Sequence, residues 1–565
     1  MKRIINTVLI VATLSAAGFT LNSCQDALDI KQAGELEDKE LYTTVSNLNE
    51  ALYGGVYGQI DPIDEIYFTA VFTDEVKPGS GSGGQEYEIH RFFLDPSSPI
   101  VGGGGISTQT SDGIWRNHYR VINRINRLLE GAKNVKPAST EVGTYNGILA
   151  QARAMRAYCY MQLEAYFSTD MKDPNALGVI LLKDIPASDA KLPRATNKEV
   201  YDFINADLDY ARGILSYSTS ARRYVIDKAF VNSVSARFNL YRGEYALAKQ
   251  YATEVISKSG LKLTEAKPMD GVNTAVPLTE ANGQPFYSGA YPFSLPAPGP
   301  TPADWAKWNI AFYGGTAPAN GNGTVGGSFN PYRRMWADTD NGEVIFSLNR
   351  LPLGAGLPIG ERFNTNGSTV SGVPMWFLGR NLFNLIYDPA VDKGDIRRYT
   401  YIDPTSVINA AATNPTSDRL VIDKYPGKVS TATRNDIKVF RLSEMKFILA
   451  EAEVAAGNLT AAHDLIQEVR VARNYLGTAT TPTYTNAQFA YADILKERRI
   501  ELGLEGHRYI DLKRLATIAG VTMDRNAKDD IIPTSNLPNN SYKYTLPIPI
   551  QETSANPNCK QNPGY

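Results

Sequence analysis

The chain has 565 residues, of which 43% are hydrophobic, so it is long enough to bury a large core. Its 57 Lys and Arg residues are balanced by 59 Asp and Glu residues, which leaves no basic excess to hold a phosphate backbone and argues against a nucleic-acid partner. The three Cys and four His residues are too few and too scattered for a disulfide framework or a zinc site, so we expect neither a metal nor a cofactor.

The first 23 residues have the pattern of a secretory signal peptide. Lys2 and Arg3 precede an apolar run that ends at Cys24 in the letters LNSC, as in a bacterial lipoprotein signal, where the thiol is acylated after cleavage. A permanent membrane anchor or a chance Cys is the alternative, but no later segment is continuously apolar over the ~20 residues that a span requires. We therefore predict lipid attachment at Cys24, followed by a polar, acidic tether over residues 24–44.

Residues 45–260 are predicted to form a helical region. Apolar stripes and capping residues indicate helices over 45–59, 115–129, 148–167, 196–215, 227–241 and 245–257. A Gly-rich loop between the first two helices lacks the Lys-Ser/Thr pair of a phosphate-binding loop. Cys159, within the third helix, is interpreted as a small apolar filler.

Residues 261–435 have a different composition, dominated by Gly, Pro, Asn and Thr and broken by aromatic clusters. One short segment, 343–348, has the pattern of a strand. Because helices of one type stand on both sides, we interpret this region as a loop-rich insertion that carries the ligand-binding face of one interleaved unit.

Residues 436–565 are predicted to form a second helical region and a tail. Apolar residues recur at steps of three and four on either side of a break at Gly457 and Asn458, where Gly can end one helix and Asn can cap the next. So short a link makes the two helices antiparallel. The Pro- and Asn-rich tail, 544–565, lacks helical propensity, and we expect it to lie along the surface.

The same helical hairpin occurs twice. Aligning residues 241–256 with 455–470 matches Gly243 with Gly457, and small and large apolar residues recur at fixed offsets. This pattern resembles the tetratricopeptide unit, although two unrelated hairpins with similar turns remain the alternative. The predicted fold is mainly α, a tetratricopeptide-like helical-repeat scaffold with a long insertion that contains short strands.

Several longer motifs resemble the SusD/RagB family. They are the lipoprotein Cys24, the helix RAMRAYCYMQLEAYF, the later hairpin, the segment ERRIELGLEGHRYIDLKR and the ending LPIPIQETSANPNCKQNPGY. The resemblance covers nearly the whole mature chain, although Cys559 stands where Leu is common and the middle region matches poorly.

The resemblance implies a lipid-anchored protein, exposed on the outer membrane, that binds oligo- or polysaccharides and delivers them to a SusC-like TonB-dependent transporter. It implies no catalysis. A lipoprotein glycoside hydrolase, a structural scaffold and a peptide-binding member of the same family remain alternatives.

The segment ERRIELGLEGHRYIDLKR also permits an enzymatic interpretation. Glu497, Glu501 and Glu505 are spaced by four on a predicted helix face, and paired carboxylates can hydrolyse glycans. We favour an ion-pair network instead, because an Arg within reach of each carboxylate lowers its pKa, whereas a general acid needs a raised one.

Glycan-binding candidates are aromatic residues in polar loops, since Trp and Tyr offer rigid faces to sugar rings. The candidates are Trp305, Trp308, Tyr313, Tyr332, Trp336 and, in a more apolar run, Trp376. Asp74 and Glu75, beside the early Gly-rich loop, could accept sugar hydroxyls. Ordinary packing is the alternative for each residue, and Trp115 is assigned to the core because it begins an amphipathic helix.

Overall fold

The computed structural model of the chain describes most of residues 41–565. The described residues are 41–79, 81–82, 87–96, 110–221, 223–266, 331–351, 356, 358–361, 363, 374–387, 394–403, 406, 419–428, 431, 434–474, 477–530 and 536–565. Cys24, Trp305, Trp308 and Tyr313 lie outside these ranges.

Helices dominate the described ranges, as predicted. In chain order they are α1 (Val45–Glu50), α2 (Ile63–Phe72), α3 (Tyr87–His90), α4 (Thr110–Ala132), α5 (Val142–Phe167), α6 (Asn197–Ile214), α7 (Lys228–Tyr241), α8 (Tyr245–Lys258), α9 (Pro331–Trp336), α10 (Arg380–Ile386), α11 (Arg398–Tyr401), α12 (Leu442–Ala455), α13 (Leu459–Ala472), α14 (Ala487–Glu501), α15 (Arg508–Ala519) and α16 (Ile550–Ala555). A π-helical turn, Ala51–Tyr57, continues α1, and a 3-10 turn, Tyr542–Tyr544, lies in the tail.

The short strands form antiparallel pairs. They are β1 (Val76–Pro78), β2 (Leu177–Ile180), β3 (Arg194–Thr196), β4 (Val344–Leu348), β5 (Trp376–Leu378) and β6 (Ile437–Arg441), which pair as β1 with β5, β2 with β3 and β4 with β6. The strand predicted over 343–348 is confirmed as β4. Because β6 leads directly into α12, its pairing with β4 connects the middle of the insertion region to the helical scaffold.

Local capping explains where two of the helices begin. The Thr196 hydroxyl accepts a hydrogen bond from the Glu199 N–H, and the Glu199 carboxylate accepts one from the Thr196 N–H at 2.8 Å. This reciprocal pair starts α6 where the sequence predicted it. The Asp227 carboxylate likewise accepts from the Phe230 N–H at 3.0 Å and starts α7.

The two predicted hairpins are confirmed as α7 with α8 and α12 with α13. Gly243 and Gly457 have φ values of +77° and +81°, in the left-handed region that Gly adopts without a Cβ clash. Asn458 precedes α13, but its side-chain oxygen accepts no hydrogen bond from the first turn of the helix, so the predicted side-chain cap is wrong; its amide N–H donates to the Glu453 carboxylate at 2.8 Å. The hairpins meet where α8 packs on α12, with the Lys249 ammonium 2.7 Å from the Glu453 carboxylate.

The tail is buried in part, so the prediction of a surface tail is wrong. Leu546 and Ile548 are fully buried, and the Leu546 N–H donates to the Tyr166 carbonyl at 2.9 Å. The Asn562 amide donates to the carbonyl of Phe167, the last residue of α5, at 2.9 Å. An extended chain can satisfy the carbonyls at a helix end and bury alternate side chains, so weak helical propensity does not imply exposure.

Trp115 and Cys159 are buried, as predicted, Cys559 is buried as well, and both cysteines are free thiols. Among the described residues, no helix is both long enough and apolar enough to cross a membrane.

Candidate functional site

The three glutamates that suggested catalysis belong to a buried ion-pair network. Glu497 and Glu501 lie on α14, whereas Glu505 follows in the turn beyond its end. Each carboxylate has at least one cationic partner: Glu497 has Arg397 (2.6 Å) and Arg470 (2.8 Å), Glu501 has Arg441 (2.8 Å), Arg473 (2.8 Å) and Arg397 (3.2 Å), and Glu505 has Arg441 (2.7 Å) and Lys424 (2.7 Å). The predicted ion-pair network is confirmed, but the cations that hold these three glutamates come from other segments of the chain and not from the arginines of the segment itself.

The electrostatics of this network oppose a general-acid role. Burial by itself would raise the pKa of Glu501, but the guanidinium groups of Arg473, Arg441 and Arg397 outweigh it and hold the pKa well below its ordinary value. The pKa of Glu497 is lowered in the same way, since Arg397 and Arg470 outweigh the effect of burial. Carboxylates that stay ionised cannot supply the proton that a leaving sugar requires.

Tyr332 and Trp336 lie on α9, which packs against the same network. Both side chains are fully buried. The Tyr332 hydroxyl donates to the Glu501 carboxylate at 2.9 Å, and the Lys424 ammonium lies 4.4 Å from the Trp336 ring centroid. Their prediction as glycan-contacting loop residues is wrong in this structure, because the charged groups and the core cover the ring faces that a sugar would need.

The side chains of Trp376, Asp74 and Glu75 are also buried. The prediction that they contact a ligand is wrong in this structure, because protein atoms cover them. Trp376 is in β5, paired opposite Pro78 of β1, which places it in the core. The Asp74 carboxylate accepts two hydrogen bonds from Arg508, at 2.8 and 2.7 Å.

Asp74 and Glu75 are adjacent residues with opposite pKa shifts. Burial would raise the pKa of Asp74, but Arg499 and Arg508 outweigh it and hold the pKa below its ordinary value. Burial raises the pKa of Glu75 to about 7, opposed in part by the hydrogen bond from the Leu504 N–H. Such a pair can mark an active site. Here both carboxylates are at most 2% exposed, so a substrate does not reach them in this structure.

An open cavity of about 540 Å³ lies between α4, the segment after β2 and the tail helix α16. Its lining includes Trp115, Arg116, Tyr119, Arg120 and Asn123 of α4, Ile180, Leu182 and Leu192 around the second strand, and Gln551, Glu552 and Asn556 of the tail. The volume is in the range of small-ligand sites, and the mixture of aromatic and polar groups suits a ligand with both apolar and polar faces.

Hydrogen bonds join the walls of this cavity. The Trp115 indole N–H donates to the Glu552 carboxylate at 3.4 Å, and the Tyr119 hydroxyl donates to the Ile180 carbonyl at 2.7 Å. The Asn556 amide donates to the Leu192 carbonyl at 2.7 Å. Three separate segments are therefore held together, which makes the cavity preformed.

Sequence reasoning missed this cavity. Trp115 is in the core, as expected, but the polar residues next to it on α4 line the cavity. The exposed face of α4 carries Arg116, Arg120 and Arg124 at steps of four, which is a visible signal in the sequence. The tail residues that line the cavity, Gln551, Glu552 and Asn556, could not be anticipated, because the sequence does not show which part of the surface the tail covers.

Two family models match the chain. One, described as "SusD family", matches residues 396–565, and another, described as "Starch-binding associating with outer membrane", matches residues 105–240. SusD-like protein P38 of Formosa agariphila is 22% identical, over 93% of this chain and 95% of the relative. A SusD-like protein of Bacteroides ovatus is 25% identical over 46% of each chain.

Solved structures support the same fold. A SusD superfamily protein from Bacteroides thetaiotaomicron superposes with a TM-score of 0.66 at 21% identity, covering 92% of this chain and 100% of the other. A SusD-like carbohydrate binding protein from Bacteroides vulgatus superposes with a TM-score of 0.62 at 19% identity, covering 92% and 98%. On the two family-model matches, which together span residues 105–240 and 396–565, the chain belongs to the SusD/RagB family.

Proposed function

We propose that this protein binds glycans at the outer membrane and delivers them to a SusC-like TonB-dependent transporter. The observation that carries the proposal is the position of the preformed cavity. Its walls on α4 and around Ile180 and Leu192 lie within residues 105–240, the range matched by the model described as starch-binding. A cavity with aromatic, amide and charged groups offers both the apolar surface and the hydrogen bonds that sugars require.

The buried ion-pair network favours glycan binding without hydrolysis. The carboxylates of Glu497, Glu501 and Glu505 are each held by cationic partners, and the lowered pKa values of the first two oppose proton donation. Incubation with an oligosaccharide panel, followed by chromatography, should therefore show retention of the sugar and no shortened products. Release of shorter products would support the hydrolase alternative.

We also propose that aromatic residues of the insertion contact the glycan. Trp305, Trp308 and Tyr313 lie in a Gly-rich segment with few charges, and stacking on a sugar ring is the function we assign to them. Trp305→Ala or Trp308→Ala should weaken glycan retention in an affinity gel by ~1–3 kcal/mol, the scale of a buried large side chain, with the fold retained. Phe489→Ala, which removes an exposed aromatic of α14, is the matched control and should leave retention unchanged.

Membrane attachment and the transporter partner complete the proposal. Cys24 would carry the lipid, and the protein would cover the outer face of a transporter barrel. Gentle detergent extraction and affinity purification should co-purify a much larger β-barrel protein. Recovery of this chain alone would count against the partnership while leaving glycan binding intact. An affinity gel that carries peptides in place of glycans tests the remaining alternative ligand.

A further inference from the structure

Arg120 is an exposed cation at the rim of the α4 cavity. Its guanidinium donates to the Asn117 side-chain oxygen at 3.2 Å, one helical step earlier. Within the described ranges, no carboxylate pairs with it. Many buried arginines of the scaffold are paired, as the network around Glu501 shows, so Arg120 differs from them in both exposure and partner.

Beside this cation the cavity is apolar. Tyr119 is half-buried and packs against the core, and its hydroxyl is held by the Ile180 carbonyl, so the ring has a defined position. Leu182 and Pro186, in the segment after β2, add further apolar lining. A flat ligand that enters the cavity would therefore contact a rigid apolar surface within reach of a guanidinium group.

The charges around the cavity favour an anion. Arg116 and Arg120 contribute two positive charges and Glu552 one negative charge, so the lining carries a net charge of about +1. Glu552 is already engaged by the Trp115 indole and by the Asn556 amide, the latter at 3.2 Å. Residues 183–191, which include the lining residues Pro186 and Ala190, contain two lysines and two aspartates, so their formal charges cancel.

We propose that this cavity binds a saccharide unit that carries a carboxylate or sulfate group. The sugar ring would lie against Tyr119 and Leu182, the anionic group would accept hydrogen bonds from Arg120, and Glu552 would accept from a sugar hydroxyl. Arg suits this role because its planar fork can donate two hydrogen bonds to one anionic group. The inference rests on the proposed glycan-binding function and narrows it to a ligand class.

Calorimetric titration of the full-length chain tests this inference. The probes are a short oligogalacturonate, a sulfated galactan oligosaccharide and a neutral maltooligosaccharide of the same length. At least one anionic probe should bind more tightly than the neutral one, and its affinity should fall as salt is raised, since the rim is exposed. The stronger of the two anionic probes distinguishes the carboxylate from the sulfate.

Two variants of α4 locate the effect. Arg120→Gln should weaken the anionic probe by about tenfold or more, the value of a hydrogen bond to a charged group, and leave the neutral probe unchanged. Arg124→Gln, which removes an exposed arginine one turn further along and outside the cavity lining, should change the affinity by less than about twofold. Equal losses in both variants would indicate a general effect of helix charge and overturn the inference.

The remaining outcomes separate this inference from the proposed function. Glycan binding that does not depend on Arg120, or that favours the neutral probe, would overturn the anionic cavity and leave glycan binding intact. A folded protein that binds no probe here and no glycan in the affinity gel would overturn both.

Discussion

Glu501 is the residue at which the stability of the scaffold can be tested most directly. It is fully buried, and its carboxylate accepts hydrogen bonds from Arg441 at 2.8 Å, Arg473 at 2.8 Å and Tyr332 at 2.9 Å. Glu501→Gln keeps the side-chain volume but removes the negative charge and turns one acceptor into a donor. Buried guanidinium groups would then face an amide N–H.

The expected loss follows from burial and charge. Removing one partner of a buried ion pair leaves the other uncompensated and costs roughly 3–5 kcal/mol in the free energy of unfolding. Glu468→Gln is the matched control, since Glu468 pairs with Lys446 at 2.5 Å but its side chain is 53% exposed. Solvent screens such a pair, and its loss should cost about 0–1 kcal/mol.

Urea unfolding of both variants, followed by circular dichroism at pH 7, measures this difference. Acid should reduce it: the folded-state pKa of Glu501 lies below its unfolded value, so its contribution is present above about pH 4.3 and is lost as the pH falls through the folded pKa. A loss below about 1 kcal/mol for Glu501→Gln, or equal losses in the two variants, would refute the argument that the buried network determines stability.

Three further predictions concern other parts of the chain. The pKa of Glu75 is raised to about 7 in the folded state, so the folded protein keeps a proton that the unfolded chain loses, and stability should fall between about pH 4.5 and 7. Glu75→Gln should remove this fall, as measured by urea unfolding across that range. Gly457→Ala should destabilise the protein by roughly 1 kcal/mol because its φ is +81°, whereas Gly147→Ala, within α5 and with open space at its Cβ position, should stabilise it by about 0.5–1 kcal/mol in thermal unfolding. Cys24→Ser should move the protein from the membrane fraction to the soluble fraction.

Each of these three predictions has a contrary result. An unchanged pH profile in Glu75→Gln would mean that Glu75 is ionised in the folded state. Equal effects of the two Gly substitutions would mean that the positive φ of Gly457 does not matter to stability. Unchanged membrane retention of Cys24→Ser would show that another feature of the chain anchors it.

The sequence by itself determined the local structure of the helical repeats. Gly243 and Gly457 lie between the helices of the two hairpins, as predicted, and α6 begins after Thr196, one of the two residues expected to cap it. These features depend on residues within one or two helical turns, so their cause is visible in a short segment. That Glu501 belongs to an ion-pair network was also predicted, but its partners were not: they are Arg397, Arg441 and Arg473, which lie outside the segment that carries Glu501.

Only the tertiary structure decided which polar and aromatic residues are buried. Asp74 pairs with Arg508 across 434 positions of sequence, and Tyr332 meets Glu501 across 169. An aromatic or acidic residue in a Gly- and Pro-rich stretch has the same local pattern whether solvent or a distant guanidinium group covers it. Burial depends on which remote segments the fold brings together. The cavity at Tyr119 and Arg120 likewise exists only because the tail packs against α4, which the local sequence does not show.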